Sequence, residues 1–117
     1  MTDKKVAPII LKYDDGTEYT LEFNRESVDY AERTGFNPDK FDAQTMVMTT
    51  QFFWLAFRMH HPTISKKKTD SILFDDLGGL TDEMTRRLVE LYNEPYNALE
   101  NKSEDGGTKN PKMSVIL

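Results

Sequence analysis

Residues 43–60, AQTMVMTTQFFWLAFRMH, form the most apolar stretch of the chain and decide its predicted fold. A residue that precedes a proline is pushed out of helical geometry, so Pro62 sets the end of a helix predicted from about Ala43 to His60. Two sides of this helix are apolar: one carries Met46, Phe53 and Phe57, the other carries Met48, Phe52, Leu55 and Met59, and Trp54 lies between them and the polar face. The apolar side chains therefore cover a wider part of the helix circumference than packing against a single core surface requires. The helix is therefore predicted to be central in the domain, or buried by the fold on one side and by a partner on the other.

A β-hairpin is predicted on the N-terminal side of this helix. The apolar segments VAPIILKY (6–13) and TEYTLEF (17–23) flank Asp14-Asp15-Gly16, and the Asp-Gly pair is typical of a tight turn with positive φ. In the second segment Tyr19, Leu21 and Phe23 alternate with Glu18, Thr20 and Glu22. This period of two predicts one covered face and one face in water. Since an isolated hairpin is marginally stable, the covered face should pack on the helices or on another subunit.

Three further helices are predicted from their capping residues. Asn24 caps a helix over residues 25–34, which ends at Gly35. Another begins at Ser65 or at Thr69 and ends at Gly78-Gly79. The last follows Thr81. Phe36 and Phe41 lie in the loop over residues 36–43 and should pack back onto the core.

The end of the chain is predicted to be less regular. Pro95 has no amide hydrogen and should kink or split the last helix near Tyr92, which makes residues 95–101 a separate turn. Residues 102–117 have no apolar side chain before Met113 and are expected to be a flexible, disordered tail. The predicted fold class is therefore α+β, with an N-terminal β-hairpin and about four helices in residues 1–101.

Composition excludes several classes of function. The chain has 117 residues, 15 Lys plus Arg, 20 Asp plus Glu and no Cys, so its net charge is −5. Zinc ribbons, thiol nucleophiles and disulfide scaffolds are excluded, and a general nucleic-acid binder is disfavoured because its basic surface is missing. The most apolar run, residues 46–59, is shorter than the roughly 20 residues that cross a bilayer. The N-terminal segment lacks a signal-peptide apolar region, so a cytoplasmic protein is expected.

The polar clusters predict no catalytic site, metal or cofactor. His60 and His61 are adjacent, so on a helix their rings diverge, and we expect one ring to cap the carbonyls of the helix end. Asp14-Asp15 is explained by the residue preferences of the hairpin turn, and Asp75-Asp76 is expected to lie on a solvated face. Lys66 to Lys68 form the one basic run, which is a solvated face, a contact with an acidic partner or, as the least favoured alternative, a contact with nucleic acid. A small metal-dependent enzyme that uses His60 or His61 stays open as a further alternative.

The order of elements resembles a known family. Its recognisable pieces are Leu21-Glu22-Phe23, Glu32-Arg33-Thr34-Gly35-Phe36, Ala56-Phe57-Arg58, His60-His61-Pro62 and Leu91-Tyr92-Asn93. Together they cover about residues 6–100 and resemble the tail assembly chaperones of long-tailed, siphovirus-type phages and prophages of Gram-positive bacteria. The matching residues belong to the core and the helix caps rather than to any reacting group.

The resemblance implies a non-enzymatic protein of the host cell cytoplasm. Such chaperones bind the long, mostly helical tape measure protein, keep it soluble during tail assembly and are absent from the mature virion. A frameshifted longer form recruits the tail tube protein in many phages, and residues 102–117 would suit such a junction. Self-association is expected as well.

A partner-binding or oligomer interface is therefore predicted on the central helix. Methionine and aromatic side chains repack at low cost, which suits a surface that receives an amphipathic helix. The predicted interface residues are Met48, Phe52, Phe53, Trp54, Leu55, Phe57 and Met59, with Phe52, Trp54, Phe57 and Met59 as the foremost contacts. The alternative is a structural virion component, a head-tail connector or a tail terminator of similar size.

Overall fold

The structure is a computed structural model that describes residues 6–97, 99 and 116. Two antiparallel strands, β1 (Ile9–Lys12) and β2 (Glu18–Leu21), precede four α-helices. The helices are α1 (Arg25–Arg33), α2 (Thr45–Phe57), α3 (Lys66–Ser71) and α4 (Asp82–Asn97). A 3-10 turn (Pro38–Lys40) precedes α2, and a π-helical segment (Ile72–Leu77) continues α3. The predicted α+β class, hairpin first and helices after, is confirmed.

The hairpin turn differs in detail from the predicted one. The Tyr13 amide donates to the Thr17 carbonyl at 2.8 Å, and the Gly16 amide donates to the Tyr13 carbonyl at 3.0 Å. Gly16 alone in this turn has a positive φ, at 95°. This is a three-residue loop closed by a glycine in the left-handed conformation. The geometry requires a glycine at position 16, whereas both aspartates have ordinary negative φ angles.

The hairpin register places Ile9 opposite Leu21 and Leu11 opposite Tyr19 on the covered face. The opposite face is only partly in water, because Glu22 at the end of β2 is 7% exposed. Its amide donates to the Ala56 carbonyl at 3.0 Å, so the end of α2 covers the outer edge of β2. Alternation alone predicted Glu22 in water, and that prediction was wrong because the helix packs beside the strand as well as beneath it.

The central helix is shorter than predicted, at Thr45–Phe57 rather than 43–60. Residues 58–60 form a turn in which the His61 amide still donates to the Phe57 carbonyl at 2.7 Å. Seven α2 residues are buried. α2 is therefore the element around which the hairpin and the other helices pack.

The capping predictions are largely confirmed. Asn24 accepts from the Ser27 amide at 2.8 Å, and the Ser27 hydroxyl accepts from the Asn24 amide at 2.8 Å. Ser65 rather than Thr69 caps α3, since its hydroxyl accepts from the Lys68 amide at 3.1 Å. Thr81 caps α4 through the Met84 amide at 3.1 Å. Each cap satisfies an amide that the helix itself leaves unpaired.

The Ser65 cap places Lys66, Lys67 and Lys68 in the first turn of α3, where the helix dipole disfavours cations. Lys66 is paired with Asp70 one turn on, at 3.0 Å. α3 then widens into the π-helical segment and ends at Gly78, which has a φ of 70°. The Gly79 amide donates back to the Leu73 carbonyl at 2.9 Å and closes that end.

The prediction that Pro95 splits the last helix was wrong. α4 continues through Pro95 to Asn97. Pro95 lies in the last turn, so only one intrahelical hydrogen bond near a terminus is lost, and α4 keeps Leu88, Leu91 and Tyr92 buried. The predicted flexible tail, residues 102–117, lies outside the described residues except for Ile116, which is exposed. In the described part of the chain no helix combines the length and apolarity that a membrane span requires.

Candidate partner-binding surface

The seven residues predicted to bind a partner divide into two groups. Met48, Phe52, Phe53, Leu55 and Phe57 are all 6% exposed or less, so the fold itself covers them. Trp54 and Met59 are partly exposed. Contact between a partner and the five buried side chains would require the core of the single chain to open.

A cluster of aromatic rings explains why so much of α2 is covered. The Phe52 ring stacks on Phe36 at 5.2 Å between centroids and on Phe23 at 5.5 Å. The edge of Tyr92 contacts all three, with centroid distances of 5.1 to 5.5 Å. These four rings, called here the aromatic stack, come from four separate places in the sequence. The wide apolar arc of α2 thus meets several elements at once, which accounts for most of it without a partner.

The opposite side of the arc meets the hairpin. The Phe57 ring packs edge-to-face against Tyr19 at 5.6 Å and against Phe53 at 5.1 Å. Such contacts contribute about 0.5–1.5 kcal/mol each beyond the burial of area. Between these contacts and the aromatic stack, one strip of α2 is left uncovered.

That strip is the candidate site. Val47, Gln51, Trp54 and Arg58 are separated by four, three and four residues, a spacing that aligns side chains along one side of a helix. Val47 is 55% exposed, and the other three are partly exposed. Met46 lies beside Val47 at the start of α2 and is 66% exposed. We call these five residues the α2 strip.

The polar end of the α2 strip is held in place by its neighbours. The Trp54 indole Nε1 donates to the Ile64 carbonyl at 3.1 Å. The Arg58 guanidinium carbon lies 3.8 Å from the centroid of the Tyr30 ring, within the range of a cation–π contact. The Tyr30 and Trp54 rings are in turn 6.4 Å apart. A partner would meet an ordered indole and guanidinium, which lowers the entropy lost on binding.

Only part of the α2 strip was identified from the sequence. Trp54 belongs to the predicted set, whereas Met46 was placed on one apolar side of the helix with Phe53 and Phe57, and Val47 on neither side. Met46 and Val47 lie in the first turn of α2 and are each more than half exposed, so an apolar pattern that continues to the helix end overstates burial there. The polar residues Asp42 and Gln44 just before the helix are the sequence signal that this end faces water.

The two histidines join α2 to β2 instead of capping helical carbonyls, so that detail of the prediction was wrong. The His60 Nε2 lies 2.9 Å from Glu22 Oε1. The His61 Nε2 accepts from the Thr20 amide at 3.0 Å, which requires a neutral ring with its proton on Nδ1. Burial, and then the neighbouring His60, lowers the pKa of His61. These contacts fix the hairpin to the end of α2.

Three of the four paired carboxylates have structural partners. Asp15 accepts from the Thr17 amide at 2.9 Å, which lowers the pKa of Asp15. Asp75 accepts from the Ser71 hydroxyl at 3.1 Å, and Asp76 accepts from the Tyr13 hydroxyl at 2.5 Å. Across residues 6–97, 99 and 116, no three His, Cys, Asp or Glu side chains come together in a way that could hold a metal ion.

The comparisons with known proteins assign a family but no activity. A family described as "Domain of unknown function (DUF5055)" matches residues 1–117. No curated protein and no solved structure matches the chain.

Proposed function

The chain belongs to the DUF5055 family, and we propose that it is a phage tail assembly chaperone that binds and solubilises the tape measure protein. It acts by binding rather than by catalysis, in the host cell cytoplasm, and it leaves before the virion is complete. The observation that carries the proposal is the α2 strip, an ordered and partly apolar helix face on the outside of the domain. The resemblance of residues 6–100 to tail assembly chaperones supplies the identity of the partner.

The shape of the α2 strip supports a helical partner. Val47 and Trp54 are seven residues apart, so they lie on the same side of α2 and about 10.5 Å apart along its axis at 1.5 Å per residue. An amphipathic helix presents its own apolar residues at three- and four-residue spacings, which match such a surface when two helices pack side by side. The tape measure protein, which is mostly helical in phages with such chaperones, would offer many such faces in succession.

The charge distribution supports a solubilising role. The chain has a net charge of −5, whereas the α2 strip contains one cation, Arg58, and no acidic residue. Several copies along one long partner would therefore add a large negative charge to the complex, and like charges keep such complexes from aggregating. Self-association and recruitment of the tail tube protein by a frameshifted longer form belong to the same proposal.

Co-purification of the chain with its tape measure protein tests the proposal. Met46→Asp and Val47→Asp place carboxylates in the first turn of α2, which has no acidic residue and where the helix dipole favours anions, so the fold should be kept. Val89→Asp is the matched control, because Val89 is an exposed apolar residue of another helix, at 44%. We expect the double variant at 46 and 47 to lose the tape measure protein and the control to retain it. Retention by both would place the binding surface elsewhere.

Analysis of purified particles tests the other half of the proposal. Mass spectrometry should detect the tail tube protein and the tape measure protein but not this chain. Detection of this chain at a stoichiometry comparable to other tail proteins would instead support a head-tail connector or a tail terminator.

A further inference from the structure

The free edge of β1 is a second unpartnered surface, and its hydrogen-bonding groups follow from the hairpin register. Tyr13 donates to Thr17 across the hairpin, and bonded pairs alternate along antiparallel strands, so Leu11 and Ile9 carry the next bonds to β2. The amides and carbonyls of Ile10 and Lys12 therefore point away from β2. No hydrogen bond from either amide to another group is found in the described part of the chain.

The two strands of the hairpin differ in what their outward backbone groups contact. Along β2 and just after it, the outward amides of Thr20 and Glu22 donate to the His61 ring and to the Ala56 carbonyl. On β1, the outward groups border an open groove of about 340 Å³ between the strand and the π-helical segment. Its apolar lining comes from Ile10, Leu11, Ile72 and Leu77, of which Ile10 is 50% exposed and Leu77 is 37% exposed, and its charged lining comes from Lys12, Asp14 and Asp76. Outward amides and carbonyls of this kind can bond to another strand, within the limits set by the four-residue length of β1.

The length of the edge limits what can bind there. Pro8 has no amide hydrogen, and the turn begins after Tyr13, so only Ile10 and Lys12 offer a donor and an acceptor each. A strand of about four or five residues would use all of these groups. The part of the groove formed by Ile10, Ile72 and Leu77 can receive the apolar side chains of such a strand.

One segment of the chain has these properties. Residues 113–117, MSVIL, contain no charge, no proline and no glycine, and they end in a β-branched pair and a leucine. Thirteen residues separate Leu99 from Met113, a stretch that can extend to about 45 Å, so the segment can reach a neighbouring molecule. Ile116 is 94% exposed in the single chain, which leaves it available to another copy.

We infer that residues 113–117 of one copy add as a third strand to the β1 edge of a second copy, with apolar side chains in the groove between β1 and the π-helical segment. The interaction is heterologous, since the segment of one molecule meets the edge of the next. It does not use the α2 strip, and it stands or falls independently of the proposed partner.

Sedimentation velocity of the full chain over a wide concentration range tests this inference. Ile10→Lys alters the edge, with Val89→Lys as a control at another exposed apolar position. The pair Val115→Asp and Ile116→Asp alters the segment, with Thr108→Asp as a control outside it. We expect the wild-type chain and both controls to associate, and the edge and segment variants each to associate at least tenfold more weakly.

Mixing the two defective variants distinguishes this interface from any other. The edge variant keeps an intact segment and the segment variant keeps an intact edge, so one productive interface should form between them and a heterodimer should appear. Hydrogen exchange should show slower exchange of the Ile10 and Lys12 amides in the associated wild-type chain. A monomeric wild-type chain, unchanged association of the variants, or no heterodimer on mixing would each overturn the inference.

Discussion

Acidification should weaken the contact between the hairpin and α2 through His61. The His61 Nε2 can accept the Thr20 amide only while the ring is neutral, and burial lowers the pKa of His61 below the ordinary value of 6.5. The folded state therefore binds a proton less readily than the unfolded state. The stabilisation is fully present above about pH 6.5 and is lost as the pH falls toward the lower folded-state value.

The size of the effect follows from one hydrogen bond. A neutral hydrogen bond contributes about 1 kcal/mol net, and a partly buried amide that loses its acceptor adds a desolvation cost of similar size. The slope of the free energy of unfolding against pH from this one group cannot exceed about 1.4 kcal/mol per pH unit. We expect these two contributions together to give a total loss of about 2 kcal/mol between pH 7 and the plateau.

The substitution His61→Gln supplies the matched reference. A glutamine side-chain carbonyl can accept from the Thr20 amide, but it does not titrate, whereas every carboxylate and His60 remain in both proteins. Urea unfolding can be followed by Trp54 fluorescence, since Trp54 is the only tryptophan and packs near Tyr30. The difference in unfolding free energy between wild type and variant should be constant above about pH 6.5 and fall below it. A difference that stays flat down to about pH 5 would refute the role assigned to His61.

Two further substitutions test the assignment of core and cap. Phe53→Ala removes a fully buried ring that contacts Phe57, and urea unfolding should show a loss of about 3–5 kcal/mol; a loss below 1 kcal/mol would mean that Phe53 faces a partner instead of the core. Asn24→Ala removes the side-chain acceptor of the α1 cap and should lower the free energy of unfolding by about 1 kcal/mol. Asn24→Asp should change it little, because a carboxylate also accepts from the Ser27 amide.

Local signals in the sequence predicted most of the elements. The Asn24 cap, the left-handed Gly35 and the Thr81 cap each act within four residues, so the sequence next to them contains the needed information. The hairpin was predicted for the same reason. The Pro95 prediction was wrong because a proline near a helix end costs far less than one in the interior, and the end of α4 was not known beforehand.

The candidate site could be predicted only in part, because burial depends on what packs against α2. Periodicity identified the apolar residues of α2 but not the number of elements that cover them. The partners of Phe52 lie at positions 23, 36 and 92, and no local pattern joins these positions. The pairing of Glu22 with His60 crosses 38 residues and was missed for the same reason. Trp54 was identified because it lies between the apolar sides and the polar face of α2, and an indole combines an apolar ring with a polar N–H group.

The aromatic stack has a consequence for the synthesis of the chain on the ribosome. Phe23, Phe36 and Phe52 are made early, whereas Tyr92 follows Phe52 by 40 residues. At a synthesis rate of about 5–20 residues per second, about 2–8 s therefore pass between the synthesis of Phe52 and that of Tyr92 in α4, the helix that covers the apolar arc of α2. During that interval the nascent chain is itself an exposed apolar segment. A translational pause between residues 52 and 92 lengthens this exposure, so slow codons in that stretch should raise the aggregated fraction more than the same codons placed after it.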